Sequence, residues 1–117
     1  MGYRIKGIND EESSCCCCGK KGLKRVVWLE SEAGDVAHYG TTCAGLLMYG
    51  KKDRKHGERA LNEAKAHEYA AKWIGLHGRS EDVLNKIAAG IRTHYCAATV
   101  VAGELLIGSE IEAWASN

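Results

Sequence analysis

Residues 15–20 read Cys15-Cys16-Cys17-Cys18-Gly19-Lys20, and residues 38–44 read His38-Tyr39-Gly40-Thr41-Thr42-Cys43-Ala44. The segment between them alternates like a strand, turns, and alternates again. Cys15 and Cys18 are spaced Cys-x2-Cys. That spacing lets a tight turn aim two thiolates at one metal, and Gly19 gives the turn the backbone freedom it needs. Cys43 stands where a helix is expected to begin, and there the helix dipole and free backbone N–H groups favour a thiolate. The spacing therefore points to a small zinc site built on Cys15, Cys18 and Cys43.

Working outward, Leu23 to Glu30 carries the strongest strand alternation, and Glu32-Ala33-Gly34-Asp35 is turn chemistry. Val36 to Tyr39 returns, completing a hairpin. Upstream, Tyr3 to Ile8 alternates as a short strand, and Asn9 to Ser14 is a polar loop leading into the cysteines. Downstream, Thr41 or Thr42 is positioned to cap a short helix carrying Cys43, Leu46, Leu47 and Gly50 on one face. A long helix is expected from about Glu58 to His77. Gly78 ends it and Ser80 caps the next. The spacing of Val83, Leu84, Ile87, Ile91, Tyr95 and Ala98 predicts a third helix reaching about Val101. Leu105 to Trp114 reads as a last helix, with Leu105-Leu106-Ile107 equally compatible with a strand. Leu61, Trp73, Ile74, Leu84, Ile87 and Ile91 are the expected buried residues of the helical half.

A Cys-x2-Cys turn, a hairpin, and a cysteine at a helix start resemble the treble-clef class of zinc fingers. Cys18-Gly19-Lys20 and Gly40-Thr41-Thr42-Cys43-Ala44 are similar to the phrasing of small zinc-binding modules in bacterial and phage proteins. The resemblance covers residues 15 to about 50. It implies that the turn supplies two ligands and the first helical turn supplies the rest. The chain departs from this pattern at Gly40, three residues before Cys43, which has no side chain to bind metal. His38 is the nearest fourth ligand, and His56, Cys96 or no protein ligand are the alternatives. Cys16 and Cys17 are spectators in this reading. Without a metal, the run would be a set of reactive thiols that switch through disulfides.

The expected fold is α+β. A zinc-bound, treble-clef-like hairpin head with a short helix (1–57) precedes an α-helical region (58–117) packed on it as a single compact domain. The chain of 117 residues has no Phe and no Pro, and a formal net charge of +1. A bound metal would compensate for part of the core that scarce aromatics leave unbuilt. No apolar run approaches the roughly 20 residues that span a bilayer. Met1 to Lys6 shows no apolar leader, so a cytoplasmic, reducing setting is expected. There, six cysteines point to metal or redox chemistry rather than a disulfide framework.

Enzyme signatures are thin. The zinc-deaminase pattern requires a proline that is missing, and His67-Glu68 lacks the second histidine of a metalloprotease helix. A non-enzymatic binding module is the expectation. Its basic residues fall in two groups: Lys20, Lys21, Lys24 and Arg25 after the knuckle, and Lys51, Lys52, Arg54, Lys55 and Arg59 after the short helix. They suit nucleic-acid phosphates, or they form a solvated face. Trp73 and Trp114 serve either as core or as anchors for a host protein or a second copy.

Overall fold

The computed structural model describes residues 2–115. Its first elements are strand β1 (Tyr3–Asn9), strand β2 (Val26–Ser31) and strand β3 (Val36–Tyr39). They form an antiparallel sheet in the order β1-β2-β3. The expected hairpin forms β2 and β3, closing through Gly34 N–H to the Ser31 carbonyl at 2.9 Å. Gly34 has a φ of 90°, in the left-handed region that glycine tolerates. Register fixes the two faces of the sheet. Ile5 opposes Leu29, and Leu29 opposes Ala37. Val27 and Leu29 are fully buried on that face, whereas Trp28 and His38 oppose one another on the other.

Helix α1 (Thr41–Tyr49) follows directly. Its N-cap is Gly40, with no side-chain cap, so neither threonine plays the expected capping role. Helix α2 (Arg54–His77) begins four residues earlier than the alanine-rich pattern suggests. The reason is Asp53. Its carboxylate accepts the His56 backbone N–H at 2.8 Å, which satisfies a donor of the first turn. Arg54, Lys55 and Arg59 are therefore helical, while Lys51 and Lys52 remain in the preceding loop.

The chain divides into two compact units, Met1–Ala64 and Lys65–Asn117, with the boundary inside α2. In the first, Ile5, Ile8, Val27, Leu29, Ala44, Ala60 and Ala64 form the core. The sheet face bearing Val27 and Leu29 thus packs on the small residues of α1 and early α2.

In the second unit, Gly78 N–H bonds to the Ile74 carbonyl and closes α2, with Gly78 at φ 83°. Helix α3 (Glu81–His94) is capped by Ser80, whose hydroxyl accepts from Val83 N–H at 3.3 Å. Glu81 and Asp82 at its start and Arg92 and His94 at its end complement the helix dipole. The expected extension to Val101 does not occur. Cys96 N–H bonds back to Ile91 at 3.1 Å, and the chain then enters strand β4 (Ala98–Val101), which pairs with strand β5 (Glu104–Ile107). Thr99, Val100 and Val101 are β-branched and suit a pleated surface better than a helix. Helix α4 (Ser109–Ala115) ends the described chain.

The core of this unit holds Ala66, Ala70, Leu84, Ile87, Ala88, Ile91, Ala98 and Ile107. Leu61 and Ile74 are half-buried, and Trp73 is 39 % exposed, against the expectation that it fills the core. Trp73 continues the spacing of Ala66 and Ala70, but it lies nearer the end of α2, beside the Tyr69 and His77 rings at 6.0 and 4.9 Å, and is not part of that core.

Candidate metal centre

The loop between β1 and β2 is tied down before it reaches the cysteines. Leu23 N–H bonds to the Ser13 carbonyl at 2.9 Å, and Cys16 N–H bonds to the His38 carbonyl at 2.8 Å. Residues 16–18 form a turn, closed by Gly19 N–H to the Cys15 carbonyl and Cys15 N–H to the Lys20 carbonyl, each at 2.9 Å. Gly19 has a φ of 76°, as the spacing required. Across from this turn, α1 begins at Thr41 and brings Cys43 into its first turn.

The result is a cluster of three thiols. The sulfurs of Cys15, Cys18 and Cys43 all lie within 4.8 Å of one another. Cys15 and Cys43 are buried and Cys18 is exposed, so one edge of the cluster opens to solvent. The arrangement is compatible with a metal site: sulfur ligands converge from a turn and from a helix start.

Electrostatics prepare one of the three for ionisation. Burial alone would raise the Cys15 thiol. Backbone N–H groups of Cys18, Gly40 and Cys17 oppose it by bonding to the sulfur, with help from the Cys43 side chain, and the thiol is lowered to about 7. Cys43 moves the other way, to about 12, because of burial first and then the neighbouring Cys18, Cys15 and Cys17 side chains. One negative charge is thus readily held in the cluster, and a second is resisted until a cation enters. Metal binding would displace the remaining thiol protons.

Among the described residues, His38 is not part of the group within 4.8 Å. Register supplies the reason. Val27 pairs with Tyr39 on the face that packs on α1, while His38 pairs with Trp28 on the opposite face. The His38 ring packs edge-on against Trp28 at 5.0 Å, and its Nδ1–H donates to the Ser14 carbonyl at 2.7 Å. Side chain and carbonyl of His38 therefore both hold the chain at the cysteine turn, a positioning role that sequence spacing did not suggest. Asn9 fixes the other half of this pair, accepting the Trp28 indole N–H at 2.7 Å. His56 is bound to Asp53 through Nδ1 at 2.6 Å, beside the Tyr49 ring. Cys96 belongs to the second unit.

The nine basic residues singled out in the sequence all belong to the first unit, and all are exposed. Arg54 pairs with Glu58 at 3.1 Å. Arg59 lies 3.6 Å from the buried Glu63 and stacks over the Tyr49 ring at 4.1 Å. No helix among the described residues is long and apolar enough to cross a membrane. No family model, curated protein or solved structure matches the chain.

Proposed function

We propose that the first unit is a zinc-stabilised binding module that contacts nucleic acid. The single observation behind this reading is the convergence of Cys15, Cys18 and Cys43. A turn, a hairpin and a helix start meet at these thiols, in the order that treble-clef modules use. Zinc suits an all-sulfur or sulfur-rich site, and a structural zinc contributes its binding free energy directly to folding. In this reading the metal holds the module together and catalyses nothing.

The phosphate contacts fall to exposed cations of the same unit. Lys20, Lys21, Lys24 and Arg25 lie next to the cysteine turn, and Lys51, Lys52 and Lys55 lie at the α1–α2 junction. Arg54 and Arg59 contribute less, because Glu58 and Glu63 already engage them. The test is a fluorescence titration against single- and double-stranded oligonucleotides at several salt concentrations. Binding should weaken steeply with salt, and changing Lys51, Lys52 and Lys55 to Ala should flatten the slope. An absence of binding at about 50 mM salt, where non-specific contacts are strong, would remove this reading.

A second reading rests on a different observation in the other unit. Trp73 and Leu76, one helical turn apart on α2, are 39 % and 69 % exposed. A host protein or a second copy that covered them would gain the aromatic anchor typical of binding hot spots. Loss of partner capture in Trp73→Ala, with nucleic-acid binding unchanged or absent, would favour it.

A further inference from the structure

The three sulfurs that converge on the candidate metal centre do not meet solvent equally. All lie within 4.8 Å of one another, yet Cys15 and Cys43 are buried and Cys18 is exposed. We propose that Cys15 and Cys18 form a peroxide-oxidisable dithiol whose disulfide expels the metal. This inference rests on the metal-site reading above and names how that site is regulated.

Three observations select the pair. The first is access. A small oxidant arriving from solvent meets Cys18 before either buried sulfur. The second is the backbone. Cys15 and Cys18 belong to one tight turn, closed by Gly19 N–H to the Cys15 carbonyl and Cys15 N–H to the Lys20 carbonyl. Residues three apart in such a turn meet the Cα separation a disulfide requires, about 4.4–6.8 Å. The exposed Cys18 side chain can then rotate to close the sulfur gap to about 2 Å. The third is the stiffness of the other ligand. Cys43 sits in the first turn of α1, which is pinned where a Cβ on Gly45 would lie 2.6 Å from the His56 carbonyl carbon. Cys16 and Cys17 are exposed too, but the sulfurs that converge are those of Cys15, Cys18 and Cys43.

The steps balance with a peroxide as oxidant. The Cys18 thiolate attacks one oxygen of hydrogen peroxide; the S–O bond forms, the O–O bond breaks, and hydroxide leaves. The Cys15 thiolate then attacks the Cys18 sulfur; the S–S bond forms, the S–O bond breaks, and a second hydroxide leaves. Two electrons pass from the two sulfurs to the peroxide, and the hydroxides take protons from solvent to become water. A disulfide donates poorly to zinc, so one thiolate of the three remains, and the metal departs. The folding free energy that it contributed departs with it.

The test treats the zinc-loaded full chain with one equivalent of hydrogen peroxide, reads released zinc with a colorimetric chelator, alkylates the remaining thiols and maps tryptic peptides by mass. Cys15 to Cys18 fall in the peptide 7–20, and Cys43 falls in the peptide 26–51. In the double variant Cys16→Ser with Cys17→Ser, peptide 7–20 should be unalkylated and lighter by two hydrogens, peptide 26–51 should be alkylated, and one zinc should be released per disulfide. Dithiothreitol with added zinc should restore the starting protein. Wild type, measured in parallel in case the double variant misfolds, should carry one disulfide and two alkyl groups on peptide 7–20, with fragmentation placing the alkyl groups on Cys16 and Cys17. A cross-link between the two peptides, alkyl groups on Cys15 or Cys18, or a disulfide formed with zinc retained would overturn the proposal while leaving the metal site standing. Wild type that holds no zinc before oxidation would overturn the metal-site reading and the release together.

Discussion

The backbone of His56 passes directly over Gly45. A Cβ built on Gly45 would lie 2.6 Å from the His56 carbonyl carbon and 2.8 Å from the Gly57 nitrogen. Gly57 in turn faces Thr42, at 3.3 Å from an added Cβ. Helices α1 and α2 cross here backbone to backbone, which only glycine permits, and the crossing sets the segment of α1 that carries Cys43.

Gly45→Ala should therefore destabilise the protein by about 1–3 kcal/mol, because backbone must move to admit the methyl. This loss would outweigh the roughly 1 kcal/mol that alanine gains over glycine in a helix. Gly75→Ala, in α2, meets nothing within 4 Å and should stabilise by about 0.5–1 kcal/mol. Urea denaturation of the two variants side by side checks the contrast. Equal effects would show that the crossing is not tight.

The β4–β5 hairpin carries a local strain that can be relieved. Val101 and Glu104 pair across a two-residue loop, with Ala102 at φ 53° and Gly103 at φ 79°. Both central residues of this tight turn are left-handed, and alanine is the only described non-glycine residue of the chain in that region. Ala102→Asn should raise stability by about 0.5–1 kcal/mol, since asparagine tolerates the conformation. A shift of the denaturation midpoint to higher urea at constant slope is the expected result.

In the second unit, Ile87 is 1 % exposed, and Ile87→Ala should cost about 2–5 kcal/mol. Trp73→Ala should cost far less, although tryptophan is the larger residue, because Trp73 is outside the core. Thermal melts of the two variants give the order directly. A Trp73→Ala melt lower than that of Ile87→Ala would reverse this assignment of the core.

The thiols give the metal-free protein a distinctive dependence on pH. Cys15 is lowered in the folded state from 9.0 to about 7, so its contribution to stability is fully present above about 9 and is lost as pH falls through 7. Cys43 is raised from 9.0 to about 12, so the fold resists its ionisation, and stability declines as pH climbs from 9 toward 12. Denaturation of the chelator-treated, reduced protein should show these two thiols' contributions peaking near pH 9. Cys15→Ser should remove the rise between 7 and 9. A rise retained in that variant would place the low thiol elsewhere.

The α+β fold and the three-cysteine centre were legible because each rests on local signals. Alternation around Trp28, the Glu32–Asp35 turn, and Gly19 after Cys18 each match backbone geometry with little help from distant residues. Later features were hidden where local signals disagreed with long-range packing. Tyr95 and Ala98 continue the helical spacing of Ile87 and Ile91, so β4 was concealed, and Ala102 gave no turn signal because alanine rarely adopts left-handed φ. The start of α2 depended on Asp53, whose capping role was masked by the basic run around it. His38 is close to Cys43 in number, but strand parity carries its side chain to the far face. Only the pairing of Trp28 with His38 reveals that, and a register of this kind is set by the whole sheet.

The proposed metal centre is tested most directly by the zinc content of protein purified without added zinc, in wild type and in Cys43→Ser. Cys43 is the thiol that α1 brings to the cysteine turn, and it is buried beside the sulfurs of Cys15 and Cys18. Wild type should retain one zinc per chain. Cys43→Ser should lose it, and its first unit should become sensitive to protease. A full equivalent of zinc in Cys43→Ser would contradict the centre built on Cys15, Cys18 and Cys43.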